Sequence, residues 1–201
     1  MLLVLIMTGG LQSAVWAEPT LIVDSTEGTT AFADGTVNPT EYSGYSVGIN
    51  NGGGNIIGVD SKIYVDSGGA DETVHFGLVP AENANFSTYV IIYIDSVDGG
   101  FSSTVTLEDD ADYMRAAVSG YQSGQSMNLF FAPDFAADFA VAVSAQDGYL
   151  FQLNDGGDNS LTELTTINLQ PVGQSTAGAF EFYFPMSDVG LPEGGSFKYV
   201  A

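Results

Sequence analysis

Short segments in which every second residue is apolar recur along most of this chain. The pattern is clearest in "TVHFGLV" and in "GAFEFYF". A period of two places successive side chains on opposite faces of a strand, so each segment predicts a half-buried antiparallel strand. The residues predicted to face the core are Val74, Phe76, Leu78, Val90, Ile92, Phe180, Phe182 and Phe184.

Other segments complete the predicted set of strands. "TYVIIYI" and "MNLFF" are continuously apolar, as expected of central strands that are covered on both faces. Four shorter segments add further strand candidates: "DYMRAAV", "DFAVAVS", "GYLFQL" and "LTELTTI". The predicted strands account for most of the chain after residue 18.

Clusters of Gly, Asn, Asp and Ser separate these segments, among them "NNGGGN", "DSVDGG" and "NDGGDNS". Turns at this regular spacing are typical of an all-β sandwich and not of alternating strands and helices. One helical turn is predicted in "PMSDVGL", where Pro185 opens the turn and Gly190 ends it. "FAPDFAADFA" is an alternative short helix, which Pro133 disfavours. We therefore expect an antiparallel β-sandwich of jelly-roll or immunoglobulin-like type with at most one or two short helical turns.

The 201 residues suit one domain with a single core. Residues 1–17 are apolar and end in Val15-Trp16-Ala17, which predicts a signal peptide cleaved before Glu18 and hence a secreted or cell-surface protein. Residues 18–201 then form the single β-sandwich domain, with no membrane span. The last segment, "GGSFKYVA", ends in an apolar run without a terminating turn, which indicates that the domain is truncated at its C-terminus.

The charge balance excludes some partners. The chain has 25 acidic residues against three basic ones and a formal charge of −22, so it lacks the basic footprint that nucleic acid binding requires. It has no cysteine, which removes disulfides and thiolate metal sites. His75 is the only histidine and lies inside a predicted strand, where a structural role is favoured over a catalytic one. No nucleophile motif is present, and the sequence predicts a non-enzymatic protein.

Acidic loops between strands could bind calcium, which prefers carboxylate and carbonyl oxygens. None of them matches the EF-hand pattern, and each is also explained as a turn. In "YIDSVDGGF", for example, the acids fit a hairpin between a buried strand and "FSSTVTL". The candidate metal ligands are Asp95, Asp98, Glu108, Asp109, Asp110, Asp112, Asp155 and Asp158.

Sugar binding would depend on exposed aromatic rings. The only Trp lies in the predicted signal peptide, so a sugar-binding surface would have to use Tyr or Phe. Five tyrosines flank polar loops and are the candidate ligand-binding residues: Tyr42, Tyr45, Tyr113, Tyr121 and Tyr149. Most tyrosines in such a chain are ordinary strand residues with a hydrated hydroxyl.

Three separated segments are similar to those of a known group. "FADGTVNPTEY" resembles the entry segment of carbohydrate-binding module family 9 and DOMON-like sandwiches, with Tyr42 in place of the usual Trp. "STYVIIYIDSVDGG" resembles their central strand, and "FEFYFPMSDVGLPEGGSFKYVA" resembles their closing unit. The resemblance implies an extracellular, non-catalytic sandwich that binds sugar or haem and often carries structural calcium. The aromatic sugar clamp of the group has no match, and no Met and His are spaced as haem ligands, so neither haem nor a nucleotide is expected.

The sequence therefore predicts a secreted, non-catalytic module that binds carbohydrate or an extracellular polymer and that calcium could stabilise. The alternative is a structural or adhesive surface protein, such as an envelope or filament subunit, that binds other copies of itself. Glycoside hydrolysis is a third and weaker hypothesis, because the many acids in Gly-rich turns do not show the paired geometry that it requires.

Overall fold

The computed structural model describes residues 20–23, 33–47, 61–68, 72–81, 86, 89–154, 156, 159–193 and 195–201. The predicted signal peptide, residues 1–17, lies outside these ranges. The described strands are β1 (Thr20–Val23), β2 (Gly44–Val47), β3 (Lys62–Gly68), β4 (Thr73–Val79), β5 (Val90–Asp95), β6 (Tyr121–Gln122), β7 (Gln125–Ser126), β8 (Phe139–Val143), β9 (Gly148–Leu153), β10 (Leu161–Thr166), β11 (Phe180–Pro185) and β12 (Ser196–Val200). One α-helix, α1 (Tyr113–Ser119), and 3-10 turns at Pro39–Glu41 and Met186–Val189 complete the described elements.

The strands form two main sheets in which the paired strands are antiparallel. One sheet has six strands in the order β1-β12-β5-β8-β9-β10, and the other has four in the order β11-β4-β3-β2. Among the described strands, β6 and β7 pair only with each other, as a small hairpin. The prediction of an all-β, sandwich-like fold is confirmed.

The main core lies between the two sheets. All eight residues predicted to face it are buried and belong to one hydrophobic cluster. Phe76 on β4 stacks on Phe182 of β11, with ring centroids 5.3 Å apart, and meets Tyr199 of β12 edge to face at 5.7 Å. Burying a large apolar side chain contributes about 1.5–3 kcal/mol, so this cluster is the principal source of stability.

A second hydrophobic cluster lies on the opposite face of the six-stranded sheet. There, a layer formed by residues 101–137, which include α1, covers Tyr93, Ala140 and Phe151. We call this layer the cap. β5 is consequently buried on both faces, as its continuously apolar sequence predicts.

Two predicted strands are instead parts of the cap. "DYMRAAV" forms α1, because Asp112 caps its first turn by accepting a hydrogen bond from the Arg115 N–H at 2.9 Å, and Gly120 ends it with a left-handed φ of 69°. "MNLFF" is not a central strand: Phe130 forms an isolated bridge with Ser103, and Met127 is 75% exposed. The alternative helix in "FAPDFAADFA" is also wrong, since residues 133–134 form a turn, Ala137 forms a bridge with Phe101 and β8 begins at Phe139.

The closing turn agrees with the prediction. Met186–Val189 is a 3-10 turn that begins after Pro185, and Gly190 ends it in the left-handed conformation with φ 68°. The Gly190 N–H donates back to the turn, which closes the chain before β12. Across the described part of the chain, none of the helices has the length and apolar character needed to cross a membrane.

Candidate functional site

The outer face of the four-stranded sheet holds a carboxylate that organises a loop. Glu181 on β11 is buried, and its Oε2 accepts hydrogen bonds from the backbone N–H groups of Asp34, Gly35 and Thr36 at 2.8–3.0 Å. The Tyr42 hydroxyl donates to Oε1 at 2.6 Å. The Tyr42 ring fills the space above Gly77, where an added Cβ would lie 2.9 Å from it.

The predicted ligand residue Tyr42 therefore has an anchoring contact. Burial and the hydrogen bond to Glu181 raise the pKa of its hydroxyl far above the ordinary value. Its ring also packs against Tyr64, with centroids 5.6 Å apart. Tyr45 lies opposite Tyr64 in β2, but its side chain lies outside the described part of the structure.

His75 lies on the same outer face and is buried. Its Nε2 is 2.7 Å from the Thr73 hydroxyl, and its ring stacks on Tyr183 with centroids 5.2 Å apart. Asp66 lies opposite His75 in the paired strands, and its buried Oδ1 has no hydrogen-bond partner. Burial raises the pKa of Asp66, although His75 and bonds from Ser43 oppose the shift.

The acidic loop after β5 is held by Asp138, which is not among the predicted metal ligands. Asp138 is buried, and its Oδ2 accepts the N–H groups of Ser96 and Val97, both at 3.0 Å. Burial raises the pKa of Asp138, and the nearby charges of Asp95 and Asp98 add to this effect. The loop does not close a hairpin with the following segment, because β5 pairs with β8 and β12.

The acidic cluster that precedes α1 is also used for structure. Asp109 is buried, and its Oδ2 forms an ion pair with the Arg115 guanidinium at 2.9 Å. Asp112 caps the helix and lies 3.2 Å from the Arg115 Nε. Asp110 accepts the Ser123 N–H at 2.8 Å, while Glu108 is exposed.

These contacts bear on the predicted calcium site. Within the described ranges, no group of three or more acidic or histidine side chains is placed to hold a metal ion. Asp95 Oδ2 accepts the Ala136 N–H at 3.2 Å, and Asp98 is exposed in its loop. Asp155 and Asp158 lie outside the described residues, so calcium binding stays a prediction.

Two exposed tyrosines lie on the side of the molecule that carries the cap. Tyr113, the first residue of α1, is 74% exposed, and Tyr89, immediately before β5, is 36% exposed. The charges of Asp147 and Asp112 act on the Tyr89 hydroxyl through space. Burial is the largest cause of the raised pKa of the Tyr89 hydroxyl, and the two carboxylates raise it further.

Tyr149 extends this surface along the six-stranded sheet. Tyr149 on β9 pairs with Ala142 on β8, which pairs in turn with Ile91 on β5. β9 is therefore two strand spacings, about 10 Å, from β5, and alternation places Tyr89 on the same face as Ile91. We call Tyr89, Tyr113 and Tyr149 the tyrosine platform.

Neighbouring contacts hold the platform in place. The Tyr149 ring packs against Phe151 at 6.1 Å, and Arg115 lies 5.1 Å above the Phe151 ring. The Asp147 carboxylate accepts the Ser144 hydroxyl at 2.5 Å, which fixes the turn beside Tyr89. The base of the platform is thus tied to buried parts of the sheet and of α1.

The platform offers the two kinds of contact that sugars use. Tyrosine rings present flat apolar faces, and their hydroxyls donate and accept hydrogen bonds. The carboxylates of Asp112 and Asp147 accept hydrogen bonds from hydroxyl groups and repel anions. A neutral or cationic ligand rich in hydroxyls is therefore favoured.

Two of the five predicted ligand tyrosines lie on the same side of the six-stranded sheet: Tyr149 on β9, and Tyr113 at the start of α1, which covers that face. Tyr121 lies elsewhere, in the β6–β7 hairpin, with its N–H bonded to the Ser119 hydroxyl at 3.1 Å. Tyr89 was missed because it lies at the start of an apolar run that was assigned to the core. The available signal was the alternation of the strand, which places Tyr89 on the same face as Ile91 and Tyr93.

In comparisons with known proteins, no protein-family model, curated protein or solved structure matches this chain.

Proposed function

We propose that this protein is a secreted, non-catalytic module that binds a neutral carbohydrate polymer through the tyrosine platform. The observation that carries the proposal is that exposed Tyr113 on α1, exposed Tyr89 and half-buried Tyr149 lie on the same side of the six-stranded sheet. Tyr89, at the start of β5, and Tyr149 on β9 are separated by two strand spacings, about 10 Å, a span over which their rings could contact successive parts of one extended chain.

The rest of the molecule is consistent with a binding role. The buried acids Asp109 and Glu181 are committed to backbone and ion-pair contacts. Hydrolysis would require two carboxyl groups facing each other across a sugar, one of them with a raised pKa. Burial raises the pKa values of Asp66 and Asp138, but Asp66 is on β3 of the four-stranded sheet and Asp138 immediately precedes β8 of the six-stranded sheet.

Binding to insoluble polysaccharides tests this proposal. Depletion of the protein from solution should be measured with cellulose, chitin, xylan and mixed-linkage β-glucan. We expect saturable binding to at least one polymer, and loss of about tenfold in affinity for Tyr113→Ala and for Tyr89→Ala, since removing a stacked ring costs about 1.4 kcal/mol or more.

Tyr183→Ala is the matched control, because Tyr183 is 44% exposed but lies on β11 of the other sheet. Equal losses in all three variants, or no binding to any polymer, would contradict the proposal. Circular dichroism of each variant confirms that the fold is intact.

A specific observation also favours the second hypothesis, a structural protein that binds copies of itself. The cap exposes Val105, Met127, Leu129 and Phe130. Residues 99–107 and 116–133 contain no charged side chain, although the whole chain carries −22. Two copies could therefore meet through this surface without opposing carboxylates.

Sedimentation velocity over a range of concentrations tests this second candidate. Self-association that is lost in Met127→Ser and Phe130→Ser would support it. A monomer at every concentration would remove it. Both substitutions are at exposed positions, so the fold should be retained.

A further inference from the structure

A cleft of about 580 Å³ lies at the other end of the outer face of the six-stranded sheet, where the cap meets the end of β9. None of its lining residues is charged: they are Gly100, Phe101, Ser102, Ser103, Thr106, Leu153 and Asn154. The volume is within the range of about 300–1,000 Å³ that is usual for small-molecule sites, and the cleft is wide open to solvent with a mainly polar lining. Since Tyr149 and Leu153 are at opposite ends of β9, this cleft is separate from the tyrosine platform.

The walls of the cleft are built by fixed backbone contacts. Phe101 and Ala137 exchange both of their backbone hydrogen bonds at 2.8 and 2.9 Å, and Phe131 donates to the Ser102 carbonyl at 2.9 Å. Gly100 has a φ of 82°, and a Cβ there would lie 2.4 Å from the Ala136 carbonyl oxygen. Only glycine allows the chain to pass so close to Ala136 and enter the cleft in this conformation.

The polar groups of the cleft are available to a ligand. No hydrogen bond within the described part of the chain uses the hydroxyls of Ser102, Ser103 or Thr106. The Asn154 Nδ2 donates to the Thr162 hydroxyl at 2.8 Å, which orients the amide and leaves its Oδ1 as an acceptor. Hydroxyls can both donate and accept, so the lining matches a ligand whose own groups are hydroxyls.

The cleft also offers apolar contact beside these groups. Phe101 is half-buried and packs against the second hydrophobic cluster, and Phe130, paired with Ser103 across a bridge, is 45% exposed. An aromatic ring next to unpaired hydroxyls suits the alternating C–H and O–H surface of a sugar ring. The charge-free lining offers no partner to an ionic ligand, and the surrounding charge of −22 disfavours anions.

We propose that this cleft is a second binding site, which takes a short neutral oligosaccharide or the end of a neutral glycan chain. The inference rests on the cleft itself and extends the proposed function from one surface to two. A protein with both sites would hold a polymer on the platform and a chain end or a free oligosaccharide in the cleft. The two sites then differ in the size of ligand that each one needs.

Titration with neutral trisaccharides tests the inference. Cellotriose, maltotriose, xylotriose and chitotriose should each be added to the whole protein while amide chemical shifts are recorded. We expect saturable shifts at Phe101–Ser103 and Asn154 with at least one of them. The absence of saturable shifts at these residues with all four trisaccharides would overturn the proposal.

Two variants locate the binding. Thr106→Trp places a large ring in the cleft from an exposed position and should lower the affinity by about tenfold or more, equivalent to about 1.4 kcal/mol. The double variant Ser102→Ala and Thr106→Ala tests the hydroxyls without filling the cleft and should weaken binding in the same direction. Ser187→Trp, an exposed position in the turn before β12, is the matched control and should bind normally. Unchanged affinity in both cleft variants would overturn the assignment.

The Tyr113→Ala variant separates this inference from the proposed function. Tyr113→Ala should have about tenfold lower affinity for the polymer and unchanged affinity for the trisaccharide. Thr106→Trp should have unchanged affinity for the polymer. If trisaccharide binding is lost in Tyr113→Ala but not in Thr106→Trp, the small ligand occupies the platform, and the cleft proposal is overturned while the platform proposal stands.

Discussion

At the scale of single residues, the charged and polar side chains divide into those that organise the fold and those that face solvent. Glu181 bonds three consecutive N–H groups and the Tyr42 hydroxyl, across 139 to 147 positions in the chain. No local pattern could reveal this contact, because each partner looks like an ordinary turn or strand residue. The exposure of Tyr113, in contrast, was predictable from the polar residues around it.

The buried carboxyl group of Asp66 leads to a prediction about how the free energy of unfolding depends on pH. Its Oδ1 is buried without a partner, and burial raises the pKa of its carboxyl group. A carboxyl whose pKa is raised by folding stabilises the folded state below its ordinary pKa, and this contribution is lost as the pH rises through the raised value. Asp66→Asn should therefore have a larger free energy of unfolding than the wild type at neutral pH, and the difference should vanish near pH 3.

Urea denaturation at several pH values measures this difference. Glu163→Gln is the control, because it removes one negative charge from an exposed position on β10. An equal gain from Glu163→Gln would show that net charge, and not the buried carboxylate, is responsible.

At the scale of elements, the sandwich strands were predictable and the cap was not. Strands β4, β5, β8, β9, β10 and β11 follow segments with a period of two or a continuous apolar run. α1 has only seven residues, too few for a helical period of 3.6 to emerge. Its helical form depends on Asp112 at one end and Gly120 at the other, together with burial of Met114 and Val118 against the sheet.

The attachment of α1 depends on a buried ion pair. Asp109 is 1% exposed and binds Arg115, which also donates to the Leu161 carbonyl at 2.6 Å and so ties the helix to β10. Asp109→Ala should lower the free energy of unfolding by about 3–5 kcal/mol, because the largely buried Arg115 loses its buried carboxylate partner and keeps only the more exposed one, Asp112. Asp112→Ala, which removes only the cap and a more exposed contact, should cost about 0.5–2 kcal/mol.

Chemical denaturation with circular dichroism gives both values. The double variant Asp109→Leu and Arg115→Met is the further control, since replacing both charges with apolar groups should recover much of the lost stability. A similar small cost for Asp109→Ala and Asp112→Ala would contradict the structural role of the ion pair.

At the scale of the whole molecule, a formal charge of −22 on 201 residues dominates the behaviour of the chain in solution. The only basic residues are Lys62, Arg115 and Lys198, and Arg115 and Lys198 each form an ion pair with a carboxylate. Because three basic residues cannot neutralise 25 acidic ones, most of the carboxylates repel one another. The sequence alone shows this imbalance, but not which acids are buried and paired.

Self-repulsion of this size predicts a salt-dependent stability. Raising sodium chloride from about 10 mM to about 150 mM shortens the screening length from about 30 Å to about 8 Å. The melting temperature should rise, with each kcal/mol of stabilisation giving about 2–4 °C in a chain of this length. Differential scanning calorimetry measures the change, and a falling melting temperature would contradict the expectation.

The same measurement tests the calcium prediction. At matched ionic strength, calcium chloride that raises the melting temperature beyond the value in magnesium chloride, reversibly with chelator, would confirm a bound ion. Equal values in the two salts would remove the calcium prediction.

Tyrosine footprinting directly measures the proposed contact between the tyrosine platform and a carbohydrate polymer. Tyr113 and Tyr183 are both exposed, at 74% and 44%, but lie on different faces of the molecule, so nitration by tetranitromethane should modify both in the free protein. When the protein is bound to a polymer identified by depletion, we expect Tyr113 and Tyr89 to be protected and Tyr183 to react as before. Protection of Tyr183 with continued reaction of Tyr113 would contradict the claim.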